Sequence, residues 1–420
     1  MKRIEFDQKL RGLVLNHLRT AQAPVLDADA VAEALESALA ELEAEGVHLH
    51  RSQRAKLLEQ LVDEIRIFGP LYELIFDPSV TEIMVNGVHS VFAERGGRYT
   101  KIPISFADDE QVLGVANRLV DLNPGKRLDG ASPMVDLSLP GGLRVNIAIQ
   151  PVVVGGPYIT LRKYSHGFTS FERMEELGTL DDRMSRFLWA CAKARANLLF
   201  SGAAGSGKTT LVEVVCRYVE PEERIITIED TLELHFEQPN VARLLSRQPN
   251  IEGKGEITIS DLFRNCLRMR PTRIILGELR GGEALDYLAA LNSGHSGAMA
   301  IIHAARPEEA LVRLEQLASQ SPIGVPLEVL RRQIAHGLNV VVQLEQLADG
   351  HRKVTRISEV GAVLPSGEIE LREIFRFDST GRDADGRVNG RFVATGYVPE
   401  IQKKIALAGV DMPEAVYLAG

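Results

Sequence analysis

Residues 202–209 read GAAGSGKT, and no other stretch of the chain restricts its fold as tightly. The spacing G-x-x-x-x-G-K-[ST] is met by Gly202, Gly207, Lys208 and Thr209. The flanks fit as well: NLLFS before the motif is a short apolar strand, and TTLVEVVCRYV after it places Leu211, Val214, Val215 and Tyr218 on one helical face. In such a strand–loop–helix unit, Gly202, Gly205 and Gly207 let the backbone curl so that N–H groups face phosphate oxygens at the positive end of the helix. The segment Gly202, Ala203, Ala204, Gly205, Ser206, Gly207, Lys208, Thr209 and Thr210 is therefore expected to bind ATP. Lys208 would reach the β- and γ-phosphates, and the Thr209 hydroxyl would ligate Mg²⁺.

The surrounding pattern agrees with this unit. From about 176 to 345, apolar runs (NLLFS, RIITIE, RIILGE, AMAIIHA, LNVVVQL) alternate with amphipathic segments, as in a mainly parallel sheet covered by helices on both faces. The tail from 353 reads as short strands with turns, then a polar stretch and a last helix near 398. Ahead of the core, residues 1–68 read as a helical module and 69–165 as an α+β domain with turns at Asn86-Gly87, Gly96-Gly97 and Gly141-Gly142. One helix is expected at 108–122, a linker at 166–175, and the ATPase domain over 176–420.

A bound nucleotide needs carboxylates at the carboxyl ends of neighbouring strands. RIITIEDTLEL supplies Glu229, Asp230 and Glu233, with Glu229 and Glu233 as candidate metal ligands beside Thr209. RIILGE supplies Glu278, a candidate base or water-positioning group. His295 and His303, in NSGHSGAMAIIHA, are expected as sensors near phosphate rather than metal ligands, since their separation does not match zinc-ligand spacing.

Composition excludes several alternatives. The formal charge is −9, with seven acids and no base in 27–45, and aromatic residues are 5% of the chain, a poor match to a nucleic-acid channel. Three cysteines without a close pair argue against a disulfide framework. The two uncharged stretches, 145–161 and 287–305, hold too many Gly, Pro, Asn, Gln, Ser or His residues to span a bilayer, and MKRIEFDQKLRG has no apolar signal region. The expectation is a cytoplasmic protein without membrane insertion or nucleic-acid partner.

The order GAAGSGKT, IEDTLEL, RIILGE and NSGHSGAMAIIHA resembles the secretion ATPase superfamily, with its P-loop, acidic box, Gly-Glu strand end and His box. FGPLYELIFDPSVTEIMVNG, SPMVDLSLPGGLRVNI, ITLRKY, QPNIEGKGEITISDLFRNCLRMRP and GRVNGRFVATGYVPE are similar to its CpaF-like branch, the ATPases of Tad/Flp pilus assembly. RGGEALD and SGHSG are shared with conjugation-type type IV secretion ATPases, the alternative reading, whereas the tetracysteine insertion of type II relatives is missing. The resemblance implies an α/β, RecA-like P-loop core, a smaller α+β (PAS-like) N-terminal domain and a helical N-terminal module. It implies a hexameric ring, peripherally associated with the inner membrane, that works on platform proteins to assemble a pilus and, in some members, to retract it. It also implies catalytic roles for Glu278, Glu229 and His303. Arg144 (GGLRVNI) and Arg162 (ITLRKY), on strand-like runs of the second domain, are expected to bring charge to the γ-phosphate on closure.

Overall fold

The computed structural model describes residues 9–10, 12–14, 17, 28–44, 51–77, 79–96, 98–123, 126–139, 142–163, 170–247, 249, 254–383 and 386–418. The chain forms two compact units, Met1–His166 and Gly167–Gly420. Part of the expected linker, 166–169, lies outside the described residues; its continuation enters a short helix, α5 (Phe171–Glu176), capped by Ser170.

In the N-terminal unit, helices α1 (Ala28–Ala44), α2 (Arg51–Phe68) and α3 (Tyr72–Phe76) precede six strands: β1 (Val80–Asn86), β2 (Val91–Arg95), β3 (Arg98–Ile102), β4 (Met134–Leu139), β5 (Leu143–Ala148) and β6 (Tyr158–Arg162). They pair antiparallel in the order β3-β2-β1-β6-β5-β4. Alternation decides which face is covered: Ile83, Val85, Val145, Ile147, Ile159 and Leu161 are buried, while Glu82, Arg144, Asn146 and Arg162 take the other side. Leu35, Leu39 and Leu42 of α1 belong to the same buried cluster as these strands, so helices and sheet share one core. The helix expected at 108–122 forms as α4 (Asp109–Asp121), started by Asp108, whose carboxylate accepts from the Gln111 N–H.

The C-terminal unit is built on a nine-stranded sheet, counted among the described residues. Its parallel part has the order β12 (Val340–Gln346), β7 (Leu198–Gly202), β11 (Met299–Ile302), β10 (Arg273–Leu276), β8 (Ile225–Glu229), β9 (Val241–Leu245). β7, β8, β10 and β11 are buried throughout and β12 over Val340–Leu344, which is why these read as continuous apolar runs, while the edge strand β9 is only partly covered. Leu198, Phe200, Met299, Ile301, Val340 and Val342 enter one cluster, with α6 (Asp182–Lys193) and α7 (Lys208–Cys216). Leu199, Ala300, Ile302 and Val341 enter the other, with α8 (Ile259–Cys266), α9 (Glu283–Asn292), α10 (Pro307–Ala318) and α11 (Leu327–Gly337). The result is a mixed α/β fold with an N-terminal helical region and a larger multi-strand C-terminal part.

The tail departs from expectation. β13 (Arg352–Val363) and β14 (Ile369–Arg382) are 12 and 14 residues long rather than short, and with β15 (Val388–Ala394) they extend the sheet antiparallel from β12. Pairing carries on past register shifts within β13–β14 and β14–β15 into the polar stretch that follows. The last helix is α12 (Gln402–Leu407).

Candidate active site

The order of the parallel strands places β7 between β11 and β12, and the carboxyl ends of β7, β11, β10 and β8 follow one another along the sheet edge that carries the loop after β7. Gly202, Gly205 and Gly207 all take positive φ. A Cβ at Gly202 would run into the Leu344 carbonyl and the Ser206 Oγ, so the loop starts where only glycine fits. Gly207 caps α7 without a side chain, leaving the first N–H groups of that helix available to an anion. Ala203, Ala204 and Gly205 are exposed, Ser206 is buried, and Thr209 and Thr210 are half-buried on the first turn.

Lys208 is buried and its Nζ donates to the carbonyls of Gly202 (2.9 Å) and Ala203 (2.7 Å). Burial lowers its pKa to about 8, opposed by the charges of Glu278 and Glu233. The loop, the lysine and the helix end fit a triphosphate, and the Thr209 hydroxyl is the group on that turn able to hold Mg²⁺. Among the described residues, no three His, Cys, Asp or Glu side chains converge on a metal by themselves.

Glu229 ends β8 and is only 1% exposed. Its Oε2 accepts from the N–H groups of Glu233 (2.7 Å) and Leu234 (2.8 Å), and its Oε1 from Thr227 Oγ1 (3.1 Å). Burial raises its pKa, against the pull of those hydrogen bonds and of Arg243. A Cβ at Gly277 would press on the Glu229 Cγ at 2.9 Å, which explains the glycine ahead of Glu278. With both oxygens accepting from protein donors, Glu229 braces the turn that carries Glu233. Glu233 is half-buried and acts electrostatically on Lys208, Arg280 and His303. Asp230 accepts from Ser246 Oγ at 2.6 Å.

Glu278 lies two residues past β10. Its Oε2 accepts from Arg280 Nη2 at 2.6 Å and its Oε1 is 3.3 Å from His303 Nε2. Burial and the Lys208 charge lower the His303 pKa while Glu278 raises it, and the net shift is downward, toward a neutral imidazole. Lys208, Glu233, Glu278 and His303 thus form one electrostatic cluster. His295 is not part of it: it sits between α9 and β11, beside Ser293 Oγ (3.3 Å), at the amino end of the strand whose carboxyl end carries His303.

Arg144 and Arg162 belong to the N-terminal unit, where they face each other across β5 and β6, and Glu82 is the register partner of Arg162 on β1. Burial raises the Glu82 pKa, partly countered by Arg162.

Three contacts at the site escape sequence reading. Arg280 bonds Glu278 and lies 3.9 Å from Asp230; only its position two residues after Glu278 hints at this. Arg352, at the start of β13, donates from Nε to the Gly205 carbonyl at 2.8 Å. Gln343 in β12 donates to the Ala304 and Ala305 carbonyls. No motif marks the last two.

A glycine cradle closed by a helix end, with a lysine inside it and an acid on a nearby strand, defines the P-loop nucleotide-binding class. Within that class, the model of the family "Type II/IV secretion system protein" matches residues 64–388, and the chain belongs to that family, in the secretion-ATPase superfamily. A chain of Mycobacterium tuberculosis strain H37Rv, provisionally named for conjugal transfer, is 34% identical over 307 residues, covering 72% of this chain and 86% of that one. VirB11 of Agrobacterium tumefaciens strain 15955 is 32% identical over 336 residues, covering 73% and 94%. The crystal structure of the VirB11 ATPase of the Brucella suis type IV secretion system is 27% identical over 71% of this chain and 96% of its own, with a TM-score of 0.38, too low to bear on the architecture. Among the described residues, no helix is long and apolar enough to cross a membrane.

Proposed function

We propose that this chain is a Mg²⁺-dependent ATP hydrolase, the motor of a conjugation-like type IV secretion machine. The observation that carries the hydrolase reading is the placement of Glu278, between Arg280 and His303, at a strand end within electrostatic reach of Lys208. Gly202–Thr210 would bind the phosphates, and Thr209 would hold Mg²⁺. When bound, Mg²⁺ supplies charge neutralisation on the β- and γ-phosphate oxygens. Glu278 takes the proton of the attacking water through an oxygen released from Arg280, and neutral His303 orients that carboxylate through Oε1. The charges of Glu278 and Glu233 oppose the lowering of the Lys208 pKa by burial.

The type IV assignment is favoured over pilus assembly by the relatives, which carry conjugal-transfer and VirB11 names at 32–34% identity. In this reading the core is RecA-like and the N-terminal domain PAS-like, with boundaries at 68, 165 and 175, and the chain forms a hexameric ring seated on the cytoplasmic side of the inner membrane, where it works with integral platform proteins. A Tad/Flp pilus motor is the second reading. It rests on the segments SPMVDLSLPGGLRVNI and GRVNGRFVATGYVPE, which form the β4–β5 hairpin and the stretch from β15 toward α12.

Arg144 and Arg162 would supply phosphate-directed charge, since two guanidiniums on facing strand positions are poised to share an anion. Replacing both with alanine in the full chain should lower turnover by about 10-fold or more with ATP affinity retained. Wild-type turnover in that variant removes them from the reaction. The machine itself is decided in the source organism, by deleting the gene and complementing with wild type or Lys208→Ala. Loss of conjugal or effector transfer with surface filaments intact supports the first reading, and loss of filaments alone supports the second.

A further inference from the structure

Gln343 is only 1% exposed and lies on β12, level with Ser201 of β7, which is in turn level with Ile302 of β11. Its side chain therefore starts on one side of the phosphate-loop strand. It ends on the other, where Nε2 donates to the carbonyls of Ala304 (3.3 Å) and Ala305 (3.0 Å). Those are the two residues that follow His303. A terminal amide has two N–H donors and they meet two acceptors here, a match that a carboxylate, with acceptors only, cannot make.

The same strand also touches the phosphate loop, since the Leu344 carbonyl is what excludes any side chain at Gly202. β12 is thus in contact with both sides of the nucleotide site, the loop that holds phosphate and the segment that holds His303. Meanwhile Gln343 Oε1 and Ser201 Oγ are buried without a hydrogen-bond partner among the described residues. A buried polar residue with an unmet acceptor costs stability relative to an apolar one of the same shape, so its presence calls for a reason other than packing.

We propose that Gln343 is a positioning residue for the reaction: by tying down Ala304 and Ala305 it sets where His303 stands relative to Glu278 and the phosphate loop. The inference rests on the ATP-hydrolase reading for its catalytic consequence, though not for its structural one. It acts through His303 and touches neither substrate nor metal. Loss of its two donors frees the segment after β11, and a misplacement of the order of 1 Å at His303 is enough to slow the chemical step.

The test uses the full chain and the variants Gln343→Met, which keeps the shape without donors, and Gln343→Glu, which replaces the donors with acceptors. Hydrogen exchange over residues 299–310 reads the tether whether or not the protein hydrolyses ATP, and both variants should exchange faster there than wild type. Unchanged exchange in either folded variant overturns the proposal. Steady-state phosphate release then reads the consequence. Each variant should lose about 10-fold in kcat with little change in KM, and Gln343→Met should add nothing further in a His303→Ala background. Losses that multiply in that background, or a loss confined to KM and thermal stability, make Gln343 a packing residue and overturn the proposal. Faster exchange in the variants, together with no turnover in wild type, would instead remove the ATP-hydrolase reading and leave the tether standing.

Discussion

The two ends of the parallel sheet bury polar groups in opposite ways. At the amino ends, Asn197 ahead of β7 donates from its backbone to Asn339 Oδ1 (2.9 Å) and from Nδ2 to the Gly337 carbonyl (2.7 Å), and accepts from the Ala298 N–H (3.0 Å). The side chain thereby ties the start of β7 to the residue before β11 and to the end of α11, while its backbone holds the residue before β12. Arg273 of β10 grips Glu223 through Nε (2.9 Å) and Nη2 (2.8 Å) and also donates to the Ala192 carbonyl, its Nη1 having no partner among the described residues. Burial raises the Glu223 pKa, but Arg273 and Arg195 more than offset it, and the carboxyl ends up below its ordinary range. At the carboxyl ends the charged groups shift the other way: Lys208 is lowered and Glu229 is raised, and Ser201, Ser206 and Gln343 keep polar atoms without a partner among the described residues. The amino end uses its polar groups to hold neighbouring segments together, whereas the carboxyl end gathers the shifted lysine and acids around the glycine loop.

The comparison is broken most directly at Lys208. Lys208→Ala should abolish hydrolysis, a fall of more than about 100-fold, because the β/γ-phosphate charge is left uncompensated. Its thermal stability should match or exceed wild type, since a buried cation disappears. Phosphate release and calorimetry check both halves. At the opposite end, Glu223→Ala should do the reverse. It strands the Arg273 charge in the core at a cost of about 3–5 kcal/mol in denaturant unfolding, while kcat per folded molecule stays unchanged. A catalytic defect from Glu223→Ala, or a folding defect from Lys208→Ala, would erase the distinction between the ends.

Glu278→Gln tests whether the carboxyl-end acids do chemistry or bind metal. Loss of a general base should lower kcat by about 100-fold with nucleotide binding intact. Equal losses in binding and rate would make Glu278 a metal-site residue instead.

How much of this was legible beforehand also follows the two ends. The phosphate loop could be read because its glycines, lysine and threonine are required by backbone shape and charge, independent of anything distant in sequence. The parallel strands could be read as well, since burial on both faces demands continuous apolar runs such as RIIL and MAII. Glu229 was harder. An acid at a strand end looks the same in sequence whether or not its oxygens accept from the N–H groups of Glu233 and Leu234, and only the turn geometry shows that they do. Gln343 was illegible because its partners lie 38 and 39 residues away and are backbone carbonyls, which leave no trace in side-chain pattern. The sharing of one core by the N-terminal helices and the antiparallel sheet was hidden for a related reason. Amphipathic helices show that they have a buried face, not what buries it.

The smallest effect concerns protons. Burial holds Lys208 near a pKa of about 8, with Glu278 and Glu233 pulling the other way. Phosphate oxygens around Nζ would favour the ammonium form, so the bound state has the higher pKa and carries more protons than the free state between the two values. Binding should therefore be independent of pH below about 8 and weaken above it, by at most about 10-fold per pH unit for a single proton. The free protein responds with the opposite sign. Its depressed lysine binds fewer protons than the unfolded chain between about 8 and the ordinary lysine value, so the Lys208 contribution to stability rises with pH across that window. Titrating a fluorescent ATP analogue from pH 6.5 to 9.5 would show the break near 8. Lys208→Arg, permanently charged, should bind with no such break. An identical break in that variant would assign the proton to another group and remove the buried lysine as the reason the carboxyl end is electrostatically poised.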